Sequence, residues 1–146
     1  MRVYLMTLVY EVLEDLVKAS TKEDRVEILK KNESWPLKDI IRGTMDSTIV
    51  WNLPVGAPPY TPNKNGSEPS NLHRQHKKFV NFIKGGPGDN MPPIRRENLF
   101  VEILESIHPE DAKHVINMVN QKRAVKGLTR KVVYEAFPGL LRDASG

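Results

Sequence analysis

The chain has 146 residues, about the length of one domain, and 39% of them are hydrophobic, which is enough for a buried core. It has no cysteine, which excludes disulfides, thiolate nucleophiles and cysteine-ligated zinc. Its net charge of +4 permits an anionic partner without requiring one.

Residues 3–19 carry apolar side chains at spacings of three and four, which predicts an amphipathic helix. Glu11, Glu14 and Asp15 interrupt the apolar run well before it could span a bilayer, and no small-residue cleavage site follows. We therefore expect a core helix in a protein that is neither secreted nor membrane-bound.

Two further helices are predicted before the first proline-rich stretch. Ser20 lies three residues before a glutamate, which is a capping-box pattern for a short second helix. Ser34 precedes Pro36, and proline is well tolerated in a first helical turn, so a third helix is predicted to end near Met45. Trp35 is expected to pack at its start.

Residues 46–70 and 85–94 are predicted to be loops inside one domain. Prolines, glycines and polar turn formers interrupt any periodic pattern in both segments. The first loop also contains Trp51, Val55 and Tyr60, which are too apolar for a free linker. We expect these side chains to lie against the helices.

Periodic apolar patterns return after each loop. In residues 72–83 the predicted buried side includes Val80, and two more helices follow the second loop. Thr129 is predicted to cap the last helix, which Pro138 ends. About seven helices and no convincing strand predict an all-α fold, in a single domain over residues 1–146.

The sequence gives little support to an enzyme. Its 18 acidic residues fall mostly on predicted solvated faces or in first helical turns, and no pair is singled out by spacing. His73 and His76 are three residues apart on a predicted helix, but no third metal ligand is evident. The "KGGPGD" segment lacks the Gly-Lys-Ser/Thr ending of a Walker loop. We expect no catalysis, no metal and no cofactor.

Two basic stretches without acids favour binding to phosphates. Residues 71–88 contain Arg74, Lys77 and Lys78, and residues 121–134 contain five Lys or Arg residues. In the second stretch a glycine and a threonine precede a helix, whose free N–H groups can bind a phosphate. Its candidate contacts are Arg123, Lys126, Gly127, Thr129, Arg130 and Lys131. A Gly-x-Thr turn between two helices nevertheless needs no ligand, and exposed cations are ordinary.

The segments "VLEDLVKASTKEDRVEILKKNES", "NLFVEILESIHPEDAKHVINMV" and "KRAVKGLTRKVVYEAFPGL" carry a resemblance to a known family. They resemble the N-terminal DNA-binding domain of ATP-dependent DNA ligases, most closely those of T-even-like bacteriophages. The third segment is the most similar, because it has the basic glycine turn, the short helix and the aromatic-Pro-Gly-Leu ending of that family.

The resemblance implies a helical domain that grips duplex DNA across the minor groove, mainly through the sugar-phosphate backbone, without catalysis of its own. The residues that it places at the backbone-contacting helix start are Gly127, Thr129, Arg130 and Lys131, with Lys126 and Arg123 beside them. The nucleotidyltransferase domain of the ligases and its Lys-x-Asp-Gly lysine are missing, so we expect no nick sealing.

The leading hypothesis is a non-enzymatic phage protein that binds the backbone of duplex or nicked DNA in the cytoplasm of the infected host cell. The alternative is a protein-interaction or virion-associated module, which keeps the ligase-type fold, does not bind DNA and docks onto a phage or host protein. The two hypotheses differ in where the cations lie. One shared concave face favours DNA, and scattered charges favour the interaction module.

Overall fold

The structure is a computed structural model that describes residues 7–63, 69–121 and 125–143. Within these residues the chain forms seven α-helices and two 3₁₀ helices, with one isolated antiparallel bridge between Trp51 and Ile83. In chain order they are α1 (Val9–Lys18), α2 (Lys22–Lys31), α3 (Trp35–Met45), α4 (Leu72–Gln75), the 3₁₀ helices η1 (His76–Phe82) and η2 (Pro87–Asn90), α5 (Pro93–Ser106), α6 (Pro109–Val119) and α7 (Arg130–Ala136). The predicted all-α class is confirmed.

The first two helices begin later than their sequence patterns predict. α1 begins at Val9, where the carboxylate of Glu11 accepts a hydrogen bond from the Leu8 N–H at 2.8 Å. This bond satisfies one of the backbone donors that a helix start leaves unpaired. α2 is capped by Thr21 and not by Ser20, because the Thr21 hydroxyl accepts the backbone N–H three residues later.

Helix α3 packs closely against helix α6 and the Trp51 ring in the core. Ser34 caps α3 by accepting the N–H of Leu37 at 3.2 Å, and Pro36 lies in its first turn, as the sequence predicts. At Gly43 an added Cβ would lie 2.6 Å from Sδ of Met118 in α6 and 2.7 Å from the Trp51 ring. The indole N–H of Trp51 donates to the Gly43 carbonyl at 3.0 Å. Glycine is needed here because a side chain would fill the space that α6 and Trp51 occupy.

Two apolar residues that the sequence predicts to be packed are exposed. Trp35 is 70% exposed because helical geometry places it on the side of Lys38, whose ammonium lies 5.0 Å from the ring, and away from buried Leu37. Val55 is 97% exposed, next to Gly56, where the loop turns with a positive φ of 96°. Trp51, Leu53 and Tyr60 of the same loop pack against the core as expected.

The helix predicted after the first loop is mostly a 3₁₀ helix. α4 has four residues and runs directly into η1, whose period of three residues places His76, Phe79 and Phe82 on the buried side. The prediction that Val80 is buried is therefore wrong, because it assumed the α-helical period; Val80 is 48% exposed.

The second loop, predicted over residues 85–94, contains η2 and is held by one buried arginine. Arg96 is 8% exposed, and its guanidinium donates to the carbonyls of Asn52, Gly88 and Met91 at 2.9, 3.2 and 3.1 Å. The several N–H donors of one guanidinium allow a single side chain to bind both loops to α5.

Arg96→Ala should lower the free energy of unfolding by about 3 kcal/mol, because it removes charge-assisted hydrogen bonds and leaves buried carbonyls without a donor. Arg95→Ala is the matched control, since Arg95 is the exposed neighbour on the same helix, and it should change this free energy by less than about 0.5 kcal/mol. Urea unfolding followed by circular dichroism measures both. Equal effects of the two substitutions would contradict this role of Arg96.

Candidate nucleic-acid interface

The first basic stretch forms an exposed surface on α4 and η1. The side chains of Arg74, Lys77, Lys78 and Lys84 are exposed, and none of them makes an ion pair or hydrogen bond with a described residue. We call these four residues the η1 basic surface. No acid interrupts residues 71–88, so no carboxylate within this stretch neutralises the positive charges.

The period of η1 determines on which sides of the helix Lys77 and Lys78 lie. Every third residue of a 3₁₀ helix lies on one line. The line of His76 faces the core, and the line of Lys77, Val80 and Ile83 lies beside α3. Lys78 begins the remaining line. The backbone of η1 therefore fixes where the side chains of Lys77 and Lys78 begin. Their amines make no ion pair or hydrogen bond with a described residue.

The second basic stretch differs, because its central arginine is paired. Lys126 and Lys131 are exposed and make no ion pair with a described residue. Arg130 is half-buried and forms an ion pair with Asp143, and its Nη2 also donates to the Met45 carbonyl at 3.3 Å. Arg130 therefore joins the end of α3 to the segment after α7, and its charge is already neutralised.

The turn predicted to bind phosphate is explained by packing. Gly127 has a φ of +92°, and an added Cβ would lie 2.9 Å from the Leu16 carbonyl oxygen, so both conformation and space require glycine. Thr129 caps α7, as predicted, by accepting the Val132 N–H at 3.3 Å. Arg123 lies outside the described residues. From this turn, the described side chains that can still offer charge to a phosphate are Lys126 and Lys131.

Helix α3 contacts both basic stretches and adds a cation that the sequence pattern did not single out. Nδ1 of His76 is 2.6 Å from Oδ2 of Asp39, and Arg130 contacts the carbonyl of Met45. Arg42 is three residues, about one helical turn, from each of these positions. Its Nε is buried and makes no hydrogen bond with a described residue. In the sequence, Arg42 could have been found as a basic residue on the polar side of the α3 pattern.

Two carboxylates are exceptions to the prediction that acids lie on solvated faces. Asp46 is fully buried and accepts hydrogen bonds from the N–H groups of Arg142 and Thr48 at 2.7 and 2.9 Å. Burial acts to raise the pKa of Asp46, but these hydrogen bonds lower it overall. Asp111 is 1% exposed and accepts the N–H of Tyr10 at 2.8 Å. Both carboxylates therefore have structural roles.

Over the ranges that the structure describes, no group of three or more His, Asp or Glu side chains could hold a metal ion. In the same ranges, no helix is both long enough and apolar enough to cross a membrane.

Burial lowers the pKa of His73 and the neighbouring His76 lowers it further.

Comparison with known proteins gives one match. The model of a protein family described as a family of unknown function (DUF6433) matches residues 12–124. No curated protein and no solved structure matches the chain. The resemblance to phage DNA ligases therefore stays a prediction.

Arg130→Gln should lower the melting temperature, because Asp143 and the Met45 carbonyl both lose their guanidinium donor. Lys131→Gln is the matched control, since it removes the same charge from the next, exposed residue, and it should leave the melting temperature unchanged. Thermal unfolding followed by circular dichroism compares the two variants. A lower melting temperature in Lys131→Gln alone would contradict the structural role of Arg130.

The melting temperature should also fall on acidification. The backbone N–H of Ser47 lowers the pKa of Asp143 most, and the Ser47 hydroxyl and the Arg130 guanidinium lower it further. A carboxyl whose pKa is lowered by folding stabilises the fold above its unfolded pKa of about 3.9, and this stabilisation is lost as pH falls through the folded value. Asp143→Asn should therefore weaken the dependence of melting temperature on pH below about 4.

Proposed function

The chain belongs to DUF6433, a family of unknown function, and we propose from its structure that it is a non-enzymatic module that binds the sugar-phosphate backbone of duplex or nicked DNA. The observation that carries this proposal is the η1 basic surface, whose four cations have no partner among the described residues. The resemblance of three segments to phage DNA ligases supports the same proposal and suggests a small phage protein in an infected cell.

The four cations of the η1 basic surface, which have no partner among the described residues, occur within one short stretch of the chain. Several basic side chains elsewhere are held by carboxylates, namely Lys22 by Glu135, Lys38 by Glu33, Lys113 by Glu110 and Arg130 by Asp143. A cation without such a partner can replace the counterions of a phosphate, and the release of those counterions favours binding. Lys126 and Lys131 add further unpaired charge on the second basic stretch.

The kind of side chain favours the backbone over the bases. Three of the four residues on the η1 basic surface are lysines. An ammonium contacts a phosphate as a point charge, whereas base reading relies mostly on the planar, two-pronged groups of Arg, Asn and Gln. The proposed binding should therefore depend strongly on salt and little on DNA sequence.

A second candidate function is docking onto a phage or host protein through the first loop. Val55 is 97% exposed beside Gly56, whose N–H and carbonyl are both bonded to the Asn120 amide, at 2.7 and 3.1 Å. The loop also forms a cavity of about 260 Å³ against Phe100 and Glu97. Val55 and the prolines that line this cavity form an apolar surface, and contiguous apolar surfaces mark contact sites for other proteins.

Replacing Lys77 and Lys78 together by Gln should weaken duplex binding and lower the slope of log affinity against log salt by about two units, because each phosphate contact contributes about 0.9. Fluorescence anisotropy with a labelled duplex at several salt concentrations measures both quantities. The matched control is the replacement of Lys30 and Lys31 by Gln, which removes the same charge from an exposed lysine pair on α2.

The control variant should bind with an affinity and a salt slope close to those of the unmodified protein. Equal losses in the two double variants would show that net charge, and not the η1 basic surface, governs binding. No binding by the unmodified protein at about 50 mM salt, where backbone contacts are strong, would favour the protein-docking candidate. In that case Val55→Ser should be used to test docking onto a protein, because Val55 is an exposed apolar side chain on the first loop.

A further inference from the structure

A cavity of about 240 Å³ lies between α3 and η1, next to the η1 basic surface. Its walls are mostly apolar, and four polar side chains converge on it. The apolar side chains include Trp51 and Phe79, and the polar ones are Asp39, Arg42, His76 and Lys77. Mostly apolar walls with a few polar groups are typical of small-molecule sites in proteins.

Asp39 and His76 form a hydrogen-bonding edge in this cavity. His76 is 9% exposed, and the bond of 2.6 Å between its Nδ1 and Oδ2 of Asp39 holds the ring in place. Nε2 of His76 makes no hydrogen bond with a described residue. Oδ1 of Asp39 is 3.9 Å from Nη2 of Arg42, which is too long for a hydrogen bond. One carboxylate oxygen and one ring nitrogen are thus available to a ligand.

Arg42 and Lys77 bring positive charge to the same cavity. Nε of Arg42 is buried and makes no hydrogen bond with a described residue, but the Arg42 side chain as a whole is 33% exposed, so a ligand would contact its other atoms. Lys77 is exposed. A guanidinium and an ammonium on one cavity suit a phosphate group, and the apolar walls suit a flat, uncharged ring.

We propose that this cavity binds one nucleotide, with the base between the apolar walls and the phosphate on Arg42 and Lys77. The volume is below the roughly 300–1,000 Å³ of sites for drug-sized ligands, which fits a single base. The free carboxylate oxygen of Asp39 can accept a hydrogen bond from the amino group of adenine or cytosine, whereas uracil and thymine present a carbonyl there.

The source of the nucleotide rests on the proposed function. If the chain binds DNA through the η1 basic surface, the adjacent cavity can take an unpaired nucleotide at a frayed or overhanging strand end, since a paired base lies inside the stack and cannot enter. Free nucleotides test the cavity independently of duplex binding. The two proposals can therefore fail separately.

The test uses the fluorescence of Trp51 in the full chain carrying Trp35→Phe, which leaves Trp51 as the only tryptophan of the two in the sequence. The probes are AMP, CMP, UMP and inorganic phosphate. AMP and CMP should produce a saturable change, UMP should bind roughly tenfold more weakly because it lacks the amino group, and inorganic phosphate should produce no change.

Val80→Phe should fill the cavity and weaken AMP binding at least about tenfold, while duplex binding persists because the lysines are unchanged. Val50→Phe is the matched control, because Val50 is as exposed as Val80, at 49% and 48%, but does not line the cavity. It should leave both kinds of binding unchanged. Circular dichroism verifies that both variants keep their helices.

The absence of a saturable change with AMP or CMP up to about 1 mM, or equal AMP affinity in Val80→Phe and Val50→Phe, would overturn the nucleotide site even if the duplex binds. Inorganic phosphate that binds as tightly as AMP would overturn the assignment of the base. Retained AMP binding without duplex binding would support the cavity and contradict the proposed function alone.

Discussion

The contact of α3 with α6 and the first loop at Gly43 decides where the η1 basic surface can lie. Because position 43 has no side chain, the Trp51 ring reaches the helix backbone and donates a hydrogen bond to its carbonyl. Trp51 is in turn bridged to Ile83, and the Lys84 N–H donates to the Val50 carbonyl at 2.8 Å. A contact in the core thus sets the position of η1 and of its exposed cations.

The distribution of ion pairs, more than the net charge, makes part of this molecule basic. The chain has 22 Lys and Arg residues against 18 Asp and Glu residues, so its total charge is small for its size. Two carboxylates elsewhere are already engaged, Asp143 with Arg130 and Asp46 with backbone N–H groups. The η1 basic surface lacks acids along its own stretch, and a local excess of charge is what a polyanion responds to.

The 3₁₀ geometry of η1 connects the proposed backbone contact with the proposed nucleotide site. A period of three residues turns His76 towards Asp39 and leaves Lys77 and Lys78 free on neighbouring lines. In an α-helix, Val80 would lie closer to the buried side, as its sequence pattern predicts. The 3₁₀ backbone instead places Val80 and Lys77 together in the wall of the cavity.

The sequence by itself determined the all-α class, the two proline-rich loops and the cap at Thr129, because periodicity, capping and proline act within about one helical turn. It also identified the exposed cations before and within η1, since an acid-free stretch is visible in one dimension. Only the tertiary structure decided that Val80 is exposed, that Arg130 is paired with Asp143, and that α3 and η1 enclose a cavity. These features depend on which distant elements pack together, and local patterns carry no information about such contacts.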